Sequence, residues 1–288
     1  MPYTYLPLQD SPEMAAARKR ELVISRHDAR QLAVTALEAA RAGVHLLPDG
    51  TRVLWGNQVA NAIAKKKSIP PTEELPAGRG RVFDRTTVQV GNETTLGSAR
   101  RLVVDGHRPL ALNFANGIHP GGGFLHGARA QEENLCRSSA LYLTLENDPM
   151  YAAHRKNPLP TSSDWCILSP DVPVFRTDDG TPLAELWPLS FITCAAPVAD
   201  AVGREESARL LKQRIHRVLA IAAAYRYDTL VLGAWGCGAF GNAPLQTARD
   251  FRSALETRFD GVFRHIVFAI TDWSPERRYL TPFHTTFS

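Results

Sequence analysis

At 288 residues, with 44% hydrophobic and 22% charged side chains, the chain has the make-up of a globular protein able to bury a core as one large domain or two unequal ones. A net charge of +4 permits a polyanionic ligand without demanding one, and the densest basic run, Lys65-Lys66-Lys67, reads as a solvated helix end and not a nucleic-acid stripe. Cys136, Cys166, Cys194 and Cys237 lack metal-ligand spacing, which argues against zinc and for free thiols; with neither a leader pattern nor an apolar run of about 18 residues, a cytoplasmic monomer without membrane contact is expected.

The chain opens irregularly over 1–11, and then 12–42, rich in Ala, Leu, Arg and Glu, favours helix. Asp28 is the expected N-cap of its amphipathic part, where Leu32, Thr35, Ala36 and Ala39 recur at helical spacing, and Gly43 ends it. Strands at 44–47 and 51–55 flank the turn Pro48-Asp49-Gly50. A helix at 57–67 stops at Ile69-Pro70-Pro71, and 68–80 reads as a linker. Residues 1–80 are therefore expected to form a mainly helical accessory region with its linker, and 81–288 the main domain.

In that domain strands are expected at 86–90, 109–114, 165–168, 172–175, 189–194, 229–233 and 265–270, and helices at 94–104, 134–145, 204–225 and 243–259. The passage 148–164 is Pro-rich and reads as irregular; Asp178-Asp179-Gly180 reads as a turn. Alternating strands and helices predict an α/β domain of three layers, α/β/α, whose ligand binds beyond the carboxyl ends of the strands.

Two Gly-rich loops follow predicted strands directly, and so belong at one sheet edge on either side of a cleft. The first, from Asn116 through Gly121-Gly122-Gly123, leads into Gln131-Glu132-Glu133 at the start of a helix. It is neither a Walker A loop nor Gly-x-Gly-x-x-Gly. Three glycines alone are commonly a flexible connection, and two glutamates in a first helical turn are commonly a solvated pair. Together, an amide-lined loop beside two carboxylates points to acid–base chemistry on a phosphorylated substrate. The second loop, Gly236-Cys237-Gly238-Ala239-Phe240-Gly241-Asn242, brings backbone amides close to a ligand with one aromatic ring among them. His119, His126 and Arg129 have no partner in sequence and read as structural or solvent-facing.

The triple glycine followed by Gln-Glu-Glu, the segment from Gly91-Asn92-Glu93-Thr94-Thr95 to Leu135-Cys136-Arg137, and the second loop resemble the microbial type of poly(ADP-ribose) glycohydrolase, which uses a macrodomain fold. The resemblance runs from roughly 84 to 272, and residues 1–80 are similar to that family's accessory segment. It implies a macrodomain-like mixed sheet, ADP-ribose or poly(ADP-ribose) as ligand, ADP-ribosylated macromolecules as substrates, and no cofactor or metal. Glu133 would be the catalytic acid/base, with Glu132 holding the ribose hydroxyls. Asn116 would bind the same ribose, Gly121, Gly122, Gly123 and Gln131 would meet the substrate, and Gly236, Cys237, Gly238, Ala239, Phe240 and Gly241 would close over the diphosphate. Val198 stands where the family commonly has a polar residue, and Ile270, Asp272 and Trp273 are candidates near the last strand.

Cleavage of a ribose–ribose bond passes through an oxocarbenium-like state and needs a proton for the leaving oxygen and a base for water. A helix N-terminus favours the charged carboxylate, whereas a general acid must hold its proton; burial and neighbouring negative charge act in the acid's favour. The rivals are a hydrolase of single ADP-ribose units on protein, nucleic acid or metabolite, and a non-catalytic ADP-ribose-binding macrodomain. A nucleotide phosphatase is weaker still, because Cys237 lacks the arginine such a loop would need.

Overall fold

The computed structural model describes residues 3–156 and 161–288. The chain starts with β1 (Tyr3–Tyr5), α1 (Pro12–Leu22) and α2 (Arg26–Ala42). The helical stretch expected over 12–42 is two helices, because Ser25 opens a second one. Its hydroxyl accepts from the Asp28 amide and donates to the Asp28 carboxylate, so Ser25 is the N-cap and Asp28 sits inside the first turn. A hairpin of β2 (Val44–Leu46) and β3 (Arg52–Leu54) follows, then α3 (Gly56–Lys65) and β4 (Lys67–Ile69). The expected linker thus begins inside a strand, which pairs antiparallel with residues 166–168.

Next come β5 (Thr86–Gly91), α4 (Thr95–Val104), β6 (Leu110–Ala115), α5 (Gln131–Ser138), α6 (Leu141–Leu145) and α7 (Pro149–Lys156). The chain continues with β7 (Cys166–Arg176), β8 (Pro182–Ala195), α8 (Ala199–Val202), α9 (Arg204–Ala224), β9 (Thr229–Leu232), α10 (Pro244–Glu256), β10 (His265–Ala269) and α11 (Leu280–Phe287).

Three readings of this half are corrected. The helix expected over 134–145 is broken at Ser139, which bridges to Val174 while the Ala140 amide donates to Pro173 O; pairing with β7 overrides the helical pattern. The passage 148–164 contains α7, whose proline stands at the first helical position, where its missing N–H costs nothing; 157–160 lie outside the described residues. The two strands expected at 165–168 and 172–175 are one strand with a bulge, Asp171 taking φ of 54° there.

The eight-stranded sheet has the order β1-β5-β10-β9-β6-β8-β7-β4 and is mixed: β7 runs antiparallel to both neighbours and the other pairs are parallel. One face is covered by α9, α10 and α11 through Leu211, Ile215, Phe251 and Phe283. The other is covered by α2, α4, α5 and α6 through Ala33, Leu96, Leu135 and Leu141. Burial on both faces explains why the central strands read as unbroken apolar runs. The result is the expected three-layer arrangement, with the carboxyl ends of β5, β10, β9, β6 and β8 at one edge.

Candidate active site

β6 delivers the chain to the first loop, and α5 returns it. Gln131, the first residue of α5, grips the strand it has just left: Oε1 accepts from Phe114 N (2.9 Å) and Nε2 donates to Leu112 O (2.7 Å) and Thr95 Oγ1 (3.0 Å). That clip fixes where the next two carboxylates point. Glu132 Oε2 accepts from Asn116 N at 2.7 Å, and Oε1 from Asn113 Nδ2 at 3.2 Å. Glu133 Oε1 accepts from Gly123 N at 3.0 Å, while its Oε2 is buried with no partner among the described residues.

The triple glycine therefore seats the carboxylates. The Gly122 amide goes to His119 O and that of Gly123 to Glu133. A side chain at Gly122 would collide with Glu133 Oε1 and come within 3.0 Å of Glu132 Oε2. Asn116 spends its side-chain oxygen on the Ile118 and His119 amides, which leaves its Nδ2 as a donor.

Burial pushes the Glu132 carboxyl up to about 8; the charge of Glu133 adds to this, and the Asn116, Asn113 and Gly121 donors oppose it. The site thus stores a proton beside Glu133 at neutral pH, on the first glutamate of the pair. A group raised from its ordinary 4.5 to about 8 binds its proton more tightly in the folded than in the unfolded chain. Its contribution to stability is accordingly intact below the unfolded value and declines as pH rises through that window. Melting temperature measured from pH 5 to 8 should fall more steeply for the wild type than for Glu132→Gln; parallel curves would mean that Glu132 ionises as an ordinary carboxyl.

The second loop, after β9, stands across the cleft. Asn242 organises it, donating to Pro197 O and Gly236 O and accepting from Ser207 Oγ. Among the described residues the backbone N–H groups of Gly238, Ala239 and Phe240 have no protein acceptor, and all three residues line the cleft, which offers consecutive donors to an anion. Phe240 is half-buried against the core and its neighbours Ala239 and Gly238 are exposed. The Cys237 thiol is buried and turned to Thr247 and Trp235 O, and burial pushes it up to about 11, which keeps it an inert thiol.

Between the loops lies a cavity of about 820 Å³, the size of a nucleotide-class site. Gln131, Gly236, Gly238, Ala239 and Phe240 line it, and so do the candidates Ile270, Asp272 and Trp273. Glu132, Glu133, Asn116, Gly121, Gly122, Gly123, Cys237 and Gly241 are not among its lining residues; the two glutamates adjoin Gln131 and Asn134, which are. His119 and His126 are exposed, and Arg129, on the wall, donates to Ile24 O.

Sequence reasoning missed three further parts of the wall. Leu22 and Val23 come from the joint between α1 and α2. Asp178, from the tip of the β7–β8 hairpin, accepts from Thr94 Oγ1 at 2.6 Å and from Asn134 Nδ2, tying the start of α4 to the helix of the glutamates. Burial raises its carboxyl. Glu93 is held by Arg101 and Ser98. Glu93 lay inside a quoted motif and Asp178 inside an expected turn, but neither pattern, nor anything at Leu22 and Val23, signals that these residues reach the cleft.

The sequence profile described as "Microbial-type PARG, catalytic domain" matches residues 33–177. The solved poly(ADP-ribose) glycohydrolase of Thermomonospora curvata shares 39% identity, covering 91% of this chain and 100% of its own, with a TM-score of 0.84. The same protein bound to the inhibitor ADP-HPD matches at 40% identity, equal coverage and the same TM-score. The poly(ADP-ribose) glycohydrolase of Deinococcus radiodurans in complex with ADP-ribose shares 39% identity over 82% of this chain and 99% of its own, with a TM-score of 0.75. A search of curated proteins finds no match.

Proposed function

The chain belongs to the microbial-type poly(ADP-ribose) glycohydrolase family, and on that premise we propose how it acts as a glycosidase that hydrolyses the O-glycosidic ribose–ribose bonds of poly(ADP-ribose) and releases ADP-ribose. The observation that carries the assignment of roles is the state of the Glu133 carboxyl. One oxygen is fixed by an amide and the other is buried with no partner among the described residues, the arrangement of a group kept for a bound ligand.

The diphosphate seats on the free amides of Gly238, Ala239 and Phe240, which sets the adjoining ribose between Phe240 and the glutamates. The proton that the carboxyl pair holds reaches the leaving ribose oxygen through Glu133 as the C–O bond breaks. The cation that develops on the anomeric carbon is stabilised by the substrate's own diphosphate and the two carboxyls. Glu133, now charged, takes a proton from water as that water attacks, which restores the starting state. Glu132, hydrogen-bonded to Asn116 and Asn113, holds ribose hydroxyls.

Incubation with poly(ADP-ribose) and with mono-ADP-ribosylated protein, followed by product identification, tests the reading. ADP-ribose released from polymer is the expected product. Removal of the single unit from protein with polymer left intact would make the chain a mono-ADP-ribosyl hydrolase, and binding without turnover would make it a reader.

Two further outcomes are expected. Phe240→Ala should slow turnover by about a hundredfold, the scale of a misplacement of about 1 Å, and weaken ADP-ribose binding much less. A large fall in melting temperature with normal activity per folded molecule would make Phe240 a packing residue. Dialysis against a strong chelator should leave the rate unchanged, since the acid, the base and the anion site are all supplied by side chains and amides; a rate restored by Mg²⁺ would place the chemistry elsewhere.

The cytoplasm is the location we propose, supported by four buried unpaired cysteines of the kind a reducing compartment maintains. No helix among the described residues is long and apolar enough to cross a membrane.

A further inference from the structure

α7 and residues 161–164 play no part in the reaction as described, yet α7 turns one buried and one exposed basic side chain, His154 and Arg155, to the first loop. His154 is 6% exposed. Its Nδ1 lies 2.8 Å from Gly117 O and its Nε2 lies 2.6 Å from Ser163 Oγ. A carbonyl only accepts, so Nδ1 carries the hydrogen and the neutral ring's Nε2 accepts from the Ser163 hydroxyl. Burial, reinforced by the nearby Arg214 charge, holds this histidine below its ordinary pKa and so keeps it in that neutral form.

Arg155 Nη1 donates to Ile118 O at 2.9 Å, one residue further along the same loop. Ser162 packs against Gly117 so closely that a side chain there would strike its hydroxyl. The segment is itself anchored. Arg214 of α9, 1% exposed, donates to Ala195 O at 2.8 Å and to Thr161 O, and pairs with Asp164 at 3.4 Å.

These contacts converge on one short stretch of the loop, residues 116–118. Gly117 O, gripped by His154, is one residue from the Asn116 amide that donates to Glu132 Oε2 at 2.7 Å. We propose that His154, seconded by Arg155, is a positioning residue for glycoside hydrolysis: by holding Gly117 and Ile118 it fixes the Asn116 amide on Glu132 and with it the geometry of the carboxyl pair. The hydrogen bonds of both side chains go to loop carbonyls and to Ser163, so the proposed effect runs through the loop. The inference rests on Glu132 and Glu133 being the reacting pair.

The test is a series at one position, with kcat, KM, ADP-ribose affinity and melting temperature measured on each protein. His154→Ala should lower kcat by about a hundredfold, as a shift of about 1 Å in a catalytic group does, with KM and ADP-ribose affinity far less affected. His154→Asn returns a donor near the Nδ1 position and should recover most of the rate. His154→Leu returns volume without a donor and should stay slow. If Leu rescues as well as Asn, or if the folded Ala variant turns over normally, the proposal falls.

Should the His154 variants not fold, Arg155→Ala, at an exposed position on the same helix, decides the matter: a reduced kcat at unchanged melting temperature supports the buttress, and an unchanged kcat overturns it. Glu133→Gln assayed in parallel separates the two ideas. An active Glu133→Gln removes the carboxyl assignment whatever His154 does, whereas an inactive one beside a fully active His154→Ala removes only the positioning role.

Discussion

Glu133→Gln should lose about 10²–10⁴-fold in turnover, the range spanned by a positioned general acid/base, and still bind ADP-ribose nearly as well as the wild type. The separation follows from where each contact originates. The anion site is built from the backbone of residues 238–240, which this substitution does not touch. A glutamine still accepts from the Gly123 amide with its side-chain oxygen, so the first loop keeps its anchor. Only the exchangeable proton is gone. Rate assays and calorimetry on one preparation measure both quantities; a variant that keeps most of its activity takes Glu133 out of the mechanism, and one that loses binding along with rate makes it a structural post.

Gly122→Ala should be nearly as damaging, for a steric reason. The residue sits at φ of 60°, where a side chain costs about 1–2 kcal/mol, and its Cβ would run into both carboxylates at once. Because the two glutamates are buried against amides and the helix behind them, they can yield only by leaving their hydrogen bonds. Turnover should fall by about a hundredfold or more for a displacement of about 1 Å. Gly106→Ala is the control: its φ is 84° but nothing lies within 4 Å of its added carbon, so it carries the backbone strain without the collision. Gly106→Ala should keep its rate. Equal rates in the two variants would mean that the carboxyl pair tolerates the intrusion and is not held as tightly as its hydrogen bonds suggest.

Much of the architecture was readable because its signals are local. The central strands announce themselves as apolar runs, and both Gly-rich loops follow strands whose carboxyl ends share an edge, so the cleft between them was predictable from order alone. Within the first loop, the sequence put the glycines beside the carboxylates but could not say what the amides do. Those of Gly122 and Gly123 serve His119 and Glu133, while the open donors are in the second loop.

Where the reading failed, a distant partner decided. Ser139 breaks the helix behind the glutamates because it pairs with Val174, and nothing in the apolar spacing of 134–145 registers that strand. Ser25 and Asp28 are both N-cap residue types, and their mutual hydrogen bonds, not their identities, settle which one caps. Asp178 reaches Asn134 from 44 residues away, and His154 reaches Gly117 from 37. No pattern within a single element encodes either contact.

A crystal structure of Glu133→Gln with ADP-ribose tests the central claim most directly, because it places every proposed partner in one measurement. The account predicts the diphosphate oxygens within hydrogen-bond reach of the Gly238–Phe240 amides, the Phe240 ring against the ribose at the scissile end, and the residue-133 side chain about 2.6–3.2 Å from the anomeric hydroxyl or one water away from it. A diphosphate bound outside the second loop, or an anomeric carbon facing away from residue 133, would contradict it.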